Sequence, residues 1–167
     1  MLDKITNLLN NIISNIYGGI NMIVSFFGHS SFDRKKIDIN TVLQILEDQI
    51  KGVDVEFYLG NYGFFDDFAY KAATEYKKLH SNAKLVFITP YINNVRCNDF
   101  AKRCDSSIYP EIEKVPLKFA IIERNKWVAK RSDLIIFYYV ISGGTGIVYD
   151  YAVSKNKKLI NLAMIPF

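Results

Sequence analysis

Apolar and polar positions along the chain switch repeatedly between two periods. Residues 22–31, MIVSFFGHSS, form a mostly apolar run that breaks at Gly28, the pattern of a buried strand. Residues 39–50, INTVLQILEDQI, place apolar side chains at helical spacing behind Asp38, a residue type that caps helix starts. The alternation then continues. VEFYLGNYG (55–63) predicts a strand ending in glycines, and FFDDFAYKAATEYKKLH (64–80) a helix with acids in its first turn and lysines in its last, as its dipole favours. AKLVFITP (83–90) predicts a strand stopped by Pro90. Residues 117–132 predict a helix, 133–141 a strand, the following glycine loop a helix to about Lys157, and 158–164 a last strand. Residues 91–116, about 26 in all, are polar and too long for an ordinary connection, which suits a lid or binding loop. Residues 1–21 stand apart: Ile5, Leu8, Leu9, Ile12, Ile13 and Ile16 predict an amphipathic helix ending at Gly18-Gly19, ahead of one domain over 22–167.

Strands that are apolar on both faces, alternating with amphipathic helices, mean a mainly parallel sheet covered on both sides, an α/β three-layer Rossmann-like sandwich. In such sheets ligands bind beyond the carboxyl ends of the strands, where the strand order reverses. The glycines collect at those ends: Gly28-His29-Ser30-Ser31, Gly60-Asn61-Tyr62-Gly63, and Ser142-Gly143-Gly144-Thr145-Gly146. A loop with few side chains running into a helix presents free N–H groups and the positive end of the helix dipole. That suits a phosphate, with Ser142 and Thr145 adding hydroxyls.

Composition narrows the field. Of 167 residues, half are hydrophobic and 14% aromatic, enough for one domain with a real core. The formal charge of +4 arises from basic residues scattered along the chain, so a solvated surface explains it better than a nucleic-acid-binding stripe. Cys97 and Cys104 lack zinc-site spacing and read as free thiols in a reducing compartment; neither metal nor cofactor is expected. No apolar run reaches membrane-spanning length and no signal-peptide pattern opens the chain, which predicts a cytoplasmic location.

Four fragments, SFFGHSS, GNYGFFDDFA, IERNKWVAKRSD and SGGTGIVYD, fall in the order and near the spacing of the SLOG superfamily, which unites LOG phosphoribohydrolases with DprA-type proteins. The resemblance covers roughly residues 22–163. The LOG pattern resembles Glu-Arg-Lys on a helix, an Asp nine residues after the Arg, a strand, and then a Pro-Gly-Gly-x-Gly-Thr-x-x-Glu loop. Here Glu123-Arg124 precedes Asp133, and Asp150 stands where the family has Glu. Asn125 replaces the Lys, Ser142 the Pro and Ile147 the Thr.

The resemblance implies a nucleotide ligand and, in LOG enzymes, hydrolysis of the N-glycosidic bond of a nucleoside 5'-monophosphate. The catalytic roles carry over to Arg124 and Asp150. A carboxylate would stabilise the oxocarbenium-like sugar, and the Arg would pair with phosphate. Two readings stand: a LOG-like phosphoribohydrolase, or a non-catalytic sensor or sequestering protein for a nucleotide-derived, ADP-ribose-like signal. SLOG domains are commonly dimeric, so the apolar stripe on residues 5–16 predicts a homo-oligomer. His29 can touch a ligand, although an internally satisfied histidine fits as well. Trp127, Tyr62 and Tyr91 are rings able to stack on a base, for which packing is the simpler role. Asp66 and Asp67 are explained by the dipole of their helix rather than as paired acids.

Overall fold

The computed structural model of the protein describes Ile5 and residues 21–166. The helix expected over 1–21 therefore lies outside the described residues, apart from Ile5 and Asn21. Strands β1 (Met22–Gly28), β2 (Val55–Leu59), β3 (Ala83–Ile88), β4 (Ser106–Ile108), β5 (Leu134–Tyr138) and β6 (Lys158–Asn161) form one sheet in the order β4-β3-β2-β1-β5-β6. Every neighbouring pair is parallel. Helices α1 (Ile39–Ile50), α2 (Phe64–Leu79), α3 (Val95–Ala101), α4 (Ala120–Arg131) and α5 (Gly144–Ser154) make the connections.

Strand side chains alternate between two faces, and each face finds its own helices. Val24, Phe57, Phe87 and Ile136 pack with Leu46 of α1, Ala72 of α2 and Phe100 of α3. Phe27, Tyr58, Val86 and Phe137 pack with Val128 of α4 and Ala152 of α5. The result is a three-layer α/β sandwich. Phe57, Phe87 and Phe137 are fully buried, each contributing about 1.5–3 kcal/mol relative to exposure. The helix ends follow the sequence signals: Asp38 caps α1 by accepting from the Asn40 N–H at 3.1 Å, and Lys51 closes it in the left-handed conformation, φ 51°.

The α4–β5 junction is pinned to β1. The Ser132 hydroxyl lies 2.7 Å from that of Ser25, both buried. Asp133 accepts from the Ile23 N–H at 2.8 Å through its side chain and donates its own N–H to the Ile23 carbonyl. Asp133 is thus a register pin for the central strand pair.

Two expectations are corrected. The polar stretch 91–116 is not a free lid. It contains α3, capped by Asn94 accepting from Cys97 N–H, and β4, with Phe100 buried against Tyr70 and Phe87. Asp105 holds the segment to the sheet, accepting from Leu85 N–H at 2.7 Å and from Lys77 Nζ. Few apolar residues sufficed, because Cys97 and Phe100 share one face of a short helix. The last strand ends at Asn161 rather than Met164. There the Asn161 carboxamide accepts from the N–H groups of Tyr139 and Ala163 and turns the chain into a 3-10 segment, Leu162–Met164.

Candidate functional site

Successive strands β1 to β4 run outward in one direction, and β5 and β6 extend the sheet on the other side of β1. The strand order therefore reverses between β1 and β5. A cavity of about 290 Å³ opens at this point, beyond the carboxyl ends of the strands. One wall is the loop after β1, Gly28 to Ser31. Another is the start of α5, Gly144 and Thr145. Ile121, Ile122, Arg124 and Asn125 of α4 form a third, and Tyr62 and Asp66 close the β2–α2 side.

Arg124 dominates the chemistry. It is only 4% exposed, and its Nε has no hydrogen-bond partner. Burial lowers its pKa, an effect partly offset by Asp66, Cys97 and Tyr91. Neither of its helix-surface neighbours neutralises it: Glu123 pairs with Lys126 at 3.1 Å, and Asp133 is engaged by Ile23. Next to it in sequence, the Asn125 side-chain oxygen is also buried and unpartnered. Leaving such groups unpaired costs about 1–3 kcal/mol each, more for a charged one.

Asp66 supplies the opposite charge. Its Oδ2 accepts from Tyr62 N–H at 2.7 Å, a local closure of the α2 start. Burial pushes its carboxyl above the usual value, while Arg124 and the Tyr62 N–H pull it down and Asp67 adds to the rise. The two charges flank Gly60. A Cβ there would lie 2.5 Å from Asp66 Oδ2 and 2.7 Å from Arg124 Nη1, so only glycine leaves both side chains where they are. Asp67, by contrast, is exposed and reaches Arg34 at 3.9 Å. The dipole therefore accounts for Asp67 but not for Asp66, whose carboxylate belongs to the cavity.

The glycine loop is open. α5 has no side-chain cap, so its first N–H groups face outward unpaired by any cap. A Cβ at Gly143 or Gly144 would meet nothing within 4 Å, and Gly144, unlike Gly143 with φ +143°, has no backbone need to be glycine. Nothing in the fold demands a bare backbone at Gly144, whereas a close-approaching ligand would. Across the mouth, His29 Nε2 accepts from Val140 N–H at 3.1 Å, leaving Nδ1 to carry the proton of the neutral ring.

The cavity gathers Gly28, His29, Ser30, Arg124, Gly144 and Thr145 from the residues singled out in the sequence. Others stand elsewhere. Gly60 lies behind the wall between Asp66 and Arg124, and Asn61 turns to Cys97 Sγ at 3.9 Å. Gly63, φ +104°, lets the loops after β1 and β2 touch: Phe64 N–H donates to the Ser30 carbonyl at 3.0 Å. Ser142 and Gly143 are exposed and do not line the cavity, and Gly146 is buried beneath Tyr139. Asp150 is exposed on α5 and does not line it either. Trp127 stacks on Tyr58 at 6.2 Å with Arg131 over its face, a packing role. Asp66 and Asn125 entered through structure alone. Among the described residues, no group of three or more His, Cys, Asp or Glu side chains could hold a metal ion, and no helix is long and apolar enough to cross a membrane.

The architecture recurs in solved structures. DNA processing protein A from Helicobacter pylori, described for its single-stranded DNA binding mode, superposes with a TM-score of 0.57 at 16% identity, over 83% of this chain and 63% of that one. This chain thus spans less than two thirds of that protein's length. The molybdenum cofactor carrier protein of Chlamydomonas reinhardtii superposes with a TM-score of 0.55 at 13% identity, over 83% of this chain and 74% of that one. At these identities the likeness is one of fold. No protein-family model matches the chain, and no curated protein matches it.

Proposed function

We propose that the chain is a SLOG-type nucleotide-binding domain, acting as a sensor or carrier of a phosphorylated nucleoside ligand. The observation that carries this reading is the buried Arg124 guanidinium, lacking an Nε partner, which shares one cavity with the uncapped N-terminus of α5. A phosphate lying against Gly144 and Thr145 would meet the helix dipole, backbone N–H groups and a fixed cation together. The sugar would lie over the floor and the base would emerge beside Tyr62, an exposed ring at the mouth. A volume of about 290 Å³ is at the lower limit for ligand pockets and encloses part of one nucleotide rather than a strand. That argues against carrying single-stranded DNA binding over from the Helicobacter pylori protein.

Hydrolysis is the second reading, and Asp66 favours it. A carboxyl raised by burial inside the cavity suits acid–base work, whereas exposed Asp150 does not line the cavity. The test is calorimetric titration with AMP, ADP-ribose, inorganic phosphate and a short oligonucleotide, followed by chromatography of the recovered ligand. Wild type should bind AMP and return it intact. Arg124→Met, which keeps the buried stem, should remain folded with some loss of thermal stability, since Asp66 loses its compensating charge, and should lose roughly 10- to 100-fold in affinity. Unchanged affinity in folded Arg124→Met would overturn the site. Free base from wild type, abolished in Asp66→Asn but kept in Asp150→Asn, would replace the carrier reading with the second.

A further inference from the structure

The amino end of the sheet, opposite the cavity, carries an uneven charge. Chain continuity puts the last turn of α4 there, with Lys130 and Arg131, and the turn from α5 into β6, with Lys155, Lys157 and Lys158. Lys157 Nζ donates to the Ser132 carbonyl at 3.1 Å, which brings the two groups together. The other four cations are exposed, and none of the five joins a salt bridge among the described residues. Acids are fewer here. Asp133 is engaged by the Ile23 N–H, Asp54 precedes β2, and Glu56 stands opposite its register partner Lys84. The dipole of α4 accounts for Lys130 and Arg131. It does not account for Lys157 and Lys158, which lie in no helix.

The chain enters the sheet at this same end. Val24 is level with Leu134 and Leu134 with Lys158, so Met22 lies level with Ser132, two strands and roughly 10 Å from the start of β6. Ahead of it, Ile5, Leu8, Leu9, Ile12, Ile13 and Ile16 recur at helical spacing, and residues 5–21 carry no charge. Residues 17–21 tether that stripe to β1 over at most about 20 Å, which keeps it beside the cations.

We propose that the apolar stripe of residues 5–16 and the cations at the amino end of the sheet form one docking surface for an anionic lipid bilayer. Interfacial binding grows with buried apolar area and with attraction to anionic headgroups. The stripe supplies the first and is neutral, so the lysines and arginine beside it supply the second. Other occupants answer half of the surface. A second copy packed stripe to stripe covers the apolar positions and brings its own cations alongside these. A nucleic acid answers the cations and leaves the stripe in water. The cavity lies at the opposite end, roughly 20 Å away along β1, so a docked chain keeps its mouth open to ligand and the surface stands independently of the nucleotide reading.

Co-sedimentation of the full-length chain with vesicles of phosphatidylcholine alone, or of phosphatidylcholine mixed with phosphatidylserine, tests this. The chain should bind the anionic vesicles at least about tenfold more tightly than the neutral ones, and less tightly as salt rises. Lys155→Ala with Lys158→Ala should weaken that binding roughly 25-fold, at about fivefold per cation. Lys35→Ala with Lys36→Ala, between β1 and α1 at the cavity end, should leave it within about twofold of wild type. All four lysines are exposed, so both variants keep the fold. Leu9→Asp with Ile13→Asp should abolish vesicle binding by charging the stripe. No preference for anionic vesicles, or equal losses in the two lysine pairs, would overturn the surface. A single-stranded oligonucleotide that displaces the vesicles and still binds Leu9→Asp with Ile13→Asp at wild-type affinity would assign the cations to nucleic acid instead.

Discussion

His29 Nε2 accepts a hydrogen bond from the backbone N–H of Val140 at 3.1 Å, joining loops that lie 111 residues apart in sequence. The loops belong to the two strands, β1 and β5, that flank the reversal of strand order, so this bond ties them together beside the cavity. His29→Phe keeps the ring's edge contact with Tyr138 and removes the acceptor. Stability should fall by about 0.5–1.5 kcal/mol, since exposed Val140 can turn to water, and AMP affinity should fall with it. Chemical denaturation and calorimetry read the two effects. Unchanged affinity would show that the mouth holds its shape without the bond.

Glycine replacements should separate fold from site. A methyl at Gly28 would fall within the Phe65 ring, deep in the core, so Gly28→Ala should destabilise the protein by about 1–3 kcal/mol. Gly60→Ala would press on the ends of the Asp66 and Arg124 side chains, which can swing, so its main effect should be on ligand affinity. Gly144→Ala meets nothing in the protein and should leave the melting temperature within about a degree while weakening phosphate-bearing ligands. Equal effects of all three on stability and none on binding would leave the loop as a plain turn.

The acid limb of the stability curve should reveal Asp66. Its folded pKa is raised above 3.8 chiefly by burial, so the native chain keeps this proton where the unfolded chain has released it. Its contribution is full below that usual value and is lost as pH rises through the folded pKa. Asp105 runs the other way: although burial acts to raise it, the Lys77 ammonium and the Leu85 N–H hold it low, and its contribution is lost as pH falls. Asp66→Asn has no titrating group at this position and leaves Asp105 untouched. The stability of the variant minus that of wild type should therefore increase from about pH 4 to pH 7 in urea titrations. A difference that decreases would mean that the attraction of Arg124 outweighs burial.

The sheet was legible because β1, β3 and β5 are buried along most of their length and leave largely apolar runs, broken only by Ser25 in β1 and Lys84 in β3. β4 was not: Ser106 and Ser107 are exposed, and its three residues carry no pattern of their own. The switch-point loops could be read from their glycines and Arg124 from its motif. The separate tasks of the glycines could not be read, because Gly28 answers to Phe65, Gly60 to Asp66 and Arg124, and Gly146 to Tyr139, contacts made only in the folded chain. Asp66 was hidden for a related reason. An acid in the first turn of a helix has a sufficient local explanation, and its approach to Arg124 exists only once β2 and α4 share one end of the sheet.

The site is built from segments running from Phe26 to Thr145, and its two central strands are registered by Ile23 and Asp133, 110 residues apart. Pairing across so long an interval closes a large loop, a step that slows folding and comes late. A nascent chain lacking β5 and α5 accordingly has no cavity to offer. Binding at this cavity would then be coupled to global unfolding rather than to the opening of one loop. Ligand at a hundredfold excess over its Kd would add about 2.7 kcal/mol to the stability of the whole sheet, so ligand supply would govern how much of this chain survives proteolysis.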